Sequence, residues 1–221
     1  MAISGPTTPD LSLERLMAAK YGVVWVAGVD EAGRGALAGP VYAAAVIIPL
    51  RAMPSTSSDN YVERLHGVRD SKLLTAAARD QLFDLITSCV PAYGIGQASA
   101  EWIDQHGIIS ATRQAIAQAI SQLEPAAEAV LVDGPLRLAA TNLPQRPVVR
   151  GDQQSLSIAA ASILAKVSRD RYMTDLSERY PDYGFDRHKG YGTAEHRMVL
   201  GRIGPCPEHR RSFAPLRQKL I

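Results

Sequence analysis

The sequence predicts an α/β domain with a mixed β-sheet flanked by helices, and three observations carry that prediction. Two apolar β-type runs, residues 23–29 and 41–48, follow one another with no helix between them. Farther along, strand-like runs alternate with helical ones, the succession expected of α/β folds. The segment 155–173 is Ala-rich and apolar on more than one face, as a helix packed directly on a sheet must be. At 221 residues and 46% hydrophobic, the chain suits one large globular domain or one domain plus an appendage.

Residues 1–10 are dominated by Ser, Thr, Pro and Gly and read as a disordered lead-in. Leu11, Leu13, Leu16, Met17 and Ala18 mark a short helix over 11–20. The first strand, 23–29, runs into Asp30-Glu31 and then into a turn with Gly33 and Gly35 flanking Arg34. The second strand, 41–48, closes at Pro49. A Gly-x-Gly after a strand is part of the dinucleotide fingerprint, but that fingerprint needs a helix next. A β segment follows instead, so a dinucleotide site is set aside.

Residues 49–67 are polar and read as a mobile loop. A helix over 75–88 sets Leu82, Phe83, Leu85 and Ile86 on its apolar face. Residues 91–98 form a weaker third strand. The span 101–123 reads as mostly helical, with Ile109, Thr112, Ile116, Ala119, Ile120 and Leu123 on one side. A buried strand ends at Asp133, and a brief one over 147–152 ends at Asp152. The Ala-rich helix is followed by a basic, turn-rich stretch at 183–191 and a helix at 193–202.

Composition excludes several classes. A formal net charge of +2 permits a polyanionic partner without requiring one. Cys89 and Cys206 lie far apart, without metal-ligand spacing, which argues for a reducing compartment and no disulfide framework. No run approaches the ~20 apolar residues of a membrane helix, and residues 1–10 lack the basic and apolar regions of a signal peptide. A cytoplasmic protein with no membrane contact is expected.

The chemistry concentrates in acids. Strand ends at Asp30, Asp133 and Asp152, with Glu31 beside the first, can converge at one edge of an α/β sheet although they are distant in sequence. Oxygen ligands without His or Cys suit Mg²⁺ or Mn²⁺ better than zinc. Four of them suit a two-metal site, with ions roughly 3.5–4 Å apart across a phosphate. Because successive strand residues face opposite ways, the strand is expected to end or kink between Asp30 and Glu31. Each acid alone has an ordinary reading: Asp30 and Glu31 as solvated turn residues, Asp133-Gly134 as a turn, Asp152 as an N-cap.

The motifs resolve that ambiguity. Val-Asp30-Glu-Ala-Gly-Arg-Gly, Asp70-Ser-Lys-Leu, Val-Asp133-Gly, Arg-Gly-Asp152, the run from Ser157 to Asp170, and His188-Lys-Gly-Tyr-Gly-Thr193 together resemble the bacterial ribonuclease HII family. They occur in order from about Val23 to Phe213, nearly the whole chain. The resemblance implies a ribonuclease H-like fold with a small helical C-terminal part. It implies a division into a lead-in with a short helix (1–20), a catalytic domain (21–175) and a substrate-binding C-terminal region (176–221). The implied activity is cleavage of RNA in RNA–DNA hybrids, including single ribonucleotides embedded in duplex DNA, with Mg²⁺ or Mn²⁺.

Position by position, the resemblance makes Asp30, Glu31, Asp133 and Asp152 the metal-binding acids. It makes Gly33, Arg34 and Gly35 the element that reads a ribose 2′-OH, the group that separates RNA from DNA at one nucleotide. Tyr191 corresponds to the tyrosine that packs on the following deoxy sugar. Lys72, Lys166 and Lys189 are candidate phosphate contacts, and His188 and His209 candidates to orient segments or touch phosphate. Ala36 departs from the family's usual proline, and Asp70-Ser-Lys-Leu-Leu has one lysine where two are common.

A monomer is expected, and a replication-clamp contact cannot be assigned from Gln218-Lys-Leu-Ile221. The rivals are a ribonuclease HIII-like enzyme, a catalytically inactive hybrid-binding protein and a small-molecule phosphotransferase. The first usually carries an added N-terminal domain, the second commonly lacks one acid, and the third needs a phosphate loop that is missing.

Overall fold

A computed structural model describes residues 8–50, 61–139 and 141–217. Its strands are β1 (Val26–Ala32), β2 (Val41–Ile47), β3 (Ala92–Ala98), β4 (Ala129–Asp133) and β5 (Gln145–Val148). They form one sheet in the order β3-β2-β1-β4-β5. β1 pairs antiparallel with β2, and β2 with β3, whereas β4 and β5 join β1 in parallel. This is the mixed sheet expected. The helices are α1 (Ser12–Tyr21), α2 (Tyr61–Arg64), α3 (Ala76–Cys89), α4 (Ala100–His106), α5 (Ile108–Ser121), α6 (Leu156–Arg179), α7 (Phe185–His188) and α8 (Ala194–Ile203).

Small residues decide how the layers stack. On one face, Ala111, Ala115, Ile116 and Ala119 of α5 pack on Val29, Ala43 and Ala45. On the other, Ala159, Ala160 and Ile163 of α6 pack on Ala44 and Val46. A Cβ on Gly96 would come within 2.1 Å of the Ala115 carbonyl oxygen, and one on Gly28 within 2.3 Å of Ser157 Oγ. Both helices therefore lie closer to the sheet than side-chained strands would allow. Ser155 caps α6 by accepting from the Ile158 amide. The buried carboxylate of Glu14 reaches the same end and accepts from Ser155 Oγ, Ser157 N and Ser157 Oγ at 2.6, 3.0 and 2.6 Å. An anion at a helix N-terminus is favourable, and here it pins α1 to α6.

Several expectations change. β1 does not end at Val29 but runs through both acids to Ala32. Asp152 does not end a strand: β5 stops at Val148, and Asp152 lies in a 3₁₀ turn, Gly151–Gln153. The helix expected over 101–123 is two, broken at Gly107, whose φ of 79° no interior helical residue adopts. The break shifts the phase, so Ile109 is exposed while Ala111 and Ala115 turn inward. In the presumed 49–67 loop, Tyr61–Arg64 are helical and Leu65 is core. Residues 51–60 of that mobile-loop reading, most of the lead-in and the clamp cue at Gln218 fall outside the described residues.

α6 continues past residue 175, across the expected boundary. Its last turns share a small core with the C-terminal region, in which Met173 and Leu176 meet Tyr183, Phe185 and Cys206. Cys89 and Cys206 are buried free thiols. Among the described residues no helix is long and apolar enough to cross a membrane.

Candidate active site

The four acids gather around the C-terminal parts of the central strands β1 and β4. Parallel pairing of Val29 with Val132 carries Asp30 and Asp133 to adjacent positions. Both belong to the strand face that carries Gly28 and Leu131 toward α6. Asp30 is buried, with 6% of its surface exposed. Glu31 points to the other face, where Arg34 Nη1 donates to its Oε1 at 3.1 Å. Asp152 is brought in by the 3₁₀ turn, because the Gly151 amide donates to Asp133 Oδ1 at 2.7 Å. A Cβ on Gly151 would meet Ile158 Cδ1 at 2.6 Å, so glycine is what admits this approach.

Crowded negative charge shows in the proton affinities. Burial holds the Asp30 carboxyl well above the carboxylate range, and the charges of Glu31 and Asp133 add to it. Burial also raises Glu31, with Arg34 offsetting part of the rise. Asp152 is pushed up to about 6, by burial first and then by Asp70 and Asp133. Lys72 Nζ stands 3.8 Å from Asp152 Oδ2. Partial burial works against its charge, but Asp152, Asp70 and the other acids outweigh that and raise it. An excess of hard oxygen donors over nearby cations is the chemistry a divalent cation would satisfy.

The acids are neighbours rather than a closed shell. Among the described residues no three His, Cys, Asp or Glu side chains form a ready metal-ligating group. Three of the acids are each held by one oxygen: Asp30 Oδ1 accepts from the Glu31 amide, Asp133 Oδ1 from Gly151, and Glu31 Oε1 from Arg34.

Beside the acids, Gly33 has a φ of 91°, and a Cβ there would sit 1.9 Å from Arg169 Nε. The Ala36 amide donates to the Gly33 carbonyl at 3.3 Å, a bond that a proline at this position could not make. The turn is sewn to the loop that carries Tyr191: Leu37 N–H donates to the Gly190 carbonyl at 2.8 Å. A Cβ on Gly190, whose φ is 78°, would meet the Ala38 carbonyl oxygen at 2.5 Å. Tyr191 remains 36% exposed, with the Arg169 guanidinium carbon 5.3 Å from its ring centre.

The basic candidates divide. Lys72 faces the acids. Lys166 is paired with Asp170 at 2.7 Å, and its Nζ lies 5.9 Å from the Tyr191 ring centre. Lys189 donates to Thr174 Oγ1 at 2.6 Å. His188 is buried and faces inward, bonding the Tyr183 carbonyl through Nε2 and receiving the Gly190 amide on Nδ1. His209 is buried as well. Its Nδ1 accepts the Cys206 amide, its Nε2 meets His196 Nε2 at 3.0 Å, and His196 Nδ1 bonds the Tyr191 carbonyl. Donors and acceptors match along this chain if His209 and His196 are both neutral. Both histidines thus order the Tyr191 loop from within.

Sequence reasoning passed over five residues here. Asp70 is buried, accepts from the Lys72 amide at 2.9 Å, and stands as a fifth carboxylate against Asp152. Ser162 is bonded to Ser71 at 2.9 Å, and its hydroxyl offsets part of the rise in the Asp30 proton affinity. Asp70, Ser71 and Ser162 lay within recognised motifs, yet Asp before a 3₁₀ turn and Ser in a helix read locally as cap and surface. Arg169 and Arg210 are fully buried and bear on the turn.

Residues 27–216 match the family profile described as Ribonuclease HII. A ribonuclease HII of Geobacillus kaustophilus (strain HTA426) is 52% identical over 199 residues, covering 90% of this chain and 72% of that protein. One of Chloroflexus aurantiacus is 46% identical over 213 residues, 96% of this chain and 97% of that one. Among solved structures, the ribonuclease H2 of Pyrococcus horikoshii OT3 superposes with a TM-score of 0.70 at 26% identity, covering 87% and 95% of the two chains. A Bst-RNase HIII solved with Mn²⁺ shares the fold, with a TM-score of 0.62 at 18% identity. The chain belongs to the ribonuclease HII family, the metal-dependent type 2 ribonucleases H.

Proposed function

We propose that this chain is an endoribonuclease that cuts the RNA strand of RNA–DNA hybrids, including single ribonucleotides embedded in duplex DNA. Cleavage falls on the 5′ side of the ribonucleotide and leaves a 3′-hydroxyl and a 5′-phosphate. The observation that supports this best is the meeting of Asp30, Glu31, Asp133 and Asp152 beside a bare glycine turn that is bonded to the Tyr191 loop.

Asp30, Glu31, Asp133 and Asp152 would hold the divalent ions. Bound there, Mg²⁺ or Mn²⁺ supplies an acidified water and neutralises charge on the phosphate. The Gly33–Gly35 backbone offers its polar groups to the 2′-OH, which is both donor and acceptor. Tyr191 lies against the next sugar and disfavours a second 2′-OH there. Lys72 and Lys166 stand where phosphate would pass, and each exchanges a carboxylate partner for it. A catalytically inactive hybrid-binding protein remains the rival, and retention of all four acids weighs against it.

The test is a 5′-labelled DNA duplex with one embedded ribonucleotide, incubated with Mg²⁺ or Mn²⁺ and with a chelator control. Chelator-sensitive cutting immediately 5′ of the ribonucleotide is expected. Cutting confined to runs of several ribonucleotides would replace the substrate rule, and tight binding without cutting would favour the rival.

A further inference from the structure

Arg169 and Arg210 are the two largest fully buried side chains among the described residues. A buried guanidinium ordinarily faces a carboxylate, since an unbalanced interior charge is costly. The hydrogen bonds of these two go to main-chain carbonyls instead. Arg169 Nε donates to Pro40, Nη2 to Ala38 and Nη1 to Lys189, at 3.0, 3.1 and 2.9 Å. Arg210 donates from Nε to Gly39 and from Nη1 to Arg34, both at 2.9 Å. Its Nη2 has no partner among the described residues.

Four of those five carbonyls belong to the segment that begins at the glycine turn, and the fifth to the loop that carries Tyr191. Arg169 alone spans both. Gly33 rests on one part of its side chain, and the Tyr191 ring lies 5.3 Å from its guanidinium carbon. Only a planar fork with five donors can serve carbonyls so disposed; an ammonium of similar reach cannot. Burial, reinforced by the neighbouring Arg169 charge, lowers Arg210 to about 9, which still leaves it cationic at neutral pH. If the need were only to fill space, apolar side chains would do so without stranding two charges.

We propose that Arg169, supported by Arg210, is a positioning residue that sets the spacing between the Gly33-Arg34-Gly35 turn and the Tyr191 ring, and so determines preference for a ribonucleotide followed by a deoxynucleotide. The inference rests on the reading of that turn and that tyrosine proposed above. Arg169 touches no substrate itself. It holds in register the two surfaces that would read adjacent sugars.

The experiment compares kcat/KM on a duplex with one embedded ribonucleotide against kcat/KM on a uniform RNA–DNA hybrid, and takes the ratio. The proteins are wild type, Tyr191→Ala, Arg169→Lys, Arg210→Lys and the double variant Arg169→Lys/Tyr191→Ala, each checked for native circular dichroism. Arg169→Lys is expected to lower the ratio by ~10-fold or more, as sub-ångström misplacement of a reading surface does. In the Tyr191→Ala background it should lower the ratio no further, because the ring it positions is gone.

An unchanged ratio in Arg169→Lys, alongside a lowered one in Tyr191→Ala, overturns the inference and leaves the site reading intact. An unchanged ratio in Tyr191→Ala overturns the site reading itself, and this inference with it. Should Arg169→Lys fail to fold, Arg210→Lys, which loses bonds to Arg34 and Gly39 and the guanidinium contact with the Phe213 ring, carries the same comparison. A fall in its ratio supports the proposal, and equal losses on both substrates refute it.

Discussion

Asp152→Asn should make the metal-free protein more stable, not less. In the folded chain this carboxyl is pushed up to about 6 from an ordinary 3.8, by burial and by the charges of Asp70 and Asp133. Each tenfold change in proton affinity is worth ~1.4 kcal/mol, so keeping Asp152 ionised at neutral pH costs the fold at most about 3 kcal/mol. Relaxation and solvent at the site's mouth reduce that to ~1–2 kcal/mol, a rise in melting temperature of roughly 2–8 °C for a chain of this size.

The sign with pH follows. A carboxyl raised in the folded state carries no penalty below 3.8. The penalty builds as pH rises toward 6 and is complete above it. Melting curves in chelator at pH 4 and pH 8 therefore test the reasoning: the variant should match wild type at pH 4 and exceed it at pH 8. Added Mn²⁺ should then raise wild type more than the variant, because binding to the folded state stabilises in proportion to affinity. A variant that melts below wild type at pH 8 in chelator, or gains equally at both pH values, would refute the account of crowded charge.

Asp30→Asn should lower cleavage ~10³-fold or more while hybrid binding in chelator stays near wild type; undiminished turnover would remove Asp30 from the ligand set. Glu14→Ala strands the Ser157 amide and two hydroxyls at the start of α6, so urea unfolding should show a loss of ~1–3 kcal/mol, whereas a neutral result would deny that anchor. His209 is lowered from 6.5 to about 4 by burial and by His196. A depressed histidine resists protonation, so its share of stability is whole above 6.5 and declines as pH falls toward 4. Imidazole resonances should place the His209 midpoint below pH 5, and a midpoint near 6.5 would break the neutral histidine chain.

Much of this molecule is legible in one dimension. The strands announce themselves as short β-branched and alanine runs, the helices as periodic apolar positions behind Thr75, Ser155 and Thr193 caps. The acids, the glycine turn and Tyr191 stand in motifs specific enough to name a family before any coordinates. What failed was local and geometric. The strand was expected to end or kink between Asp30 and Glu31, yet pairing with β2 carries it through both, and the two acids arrive by different faces.

The tertiary structure alone decided which distant residues meet. β1–β4 register sets Asp30 beside Asp133, the 3₁₀ turn delivers Asp152, and Asp70 joins them from a connection that reads as an ordinary cap. Arg169 and Arg210 are the extreme case. Their partners are main-chain carbonyls, which every residue possesses and which leave no mark in the sequence. Side-chain chemistry is written residue by residue, but backbone groups acquire a role only when the fold turns several of them toward one point.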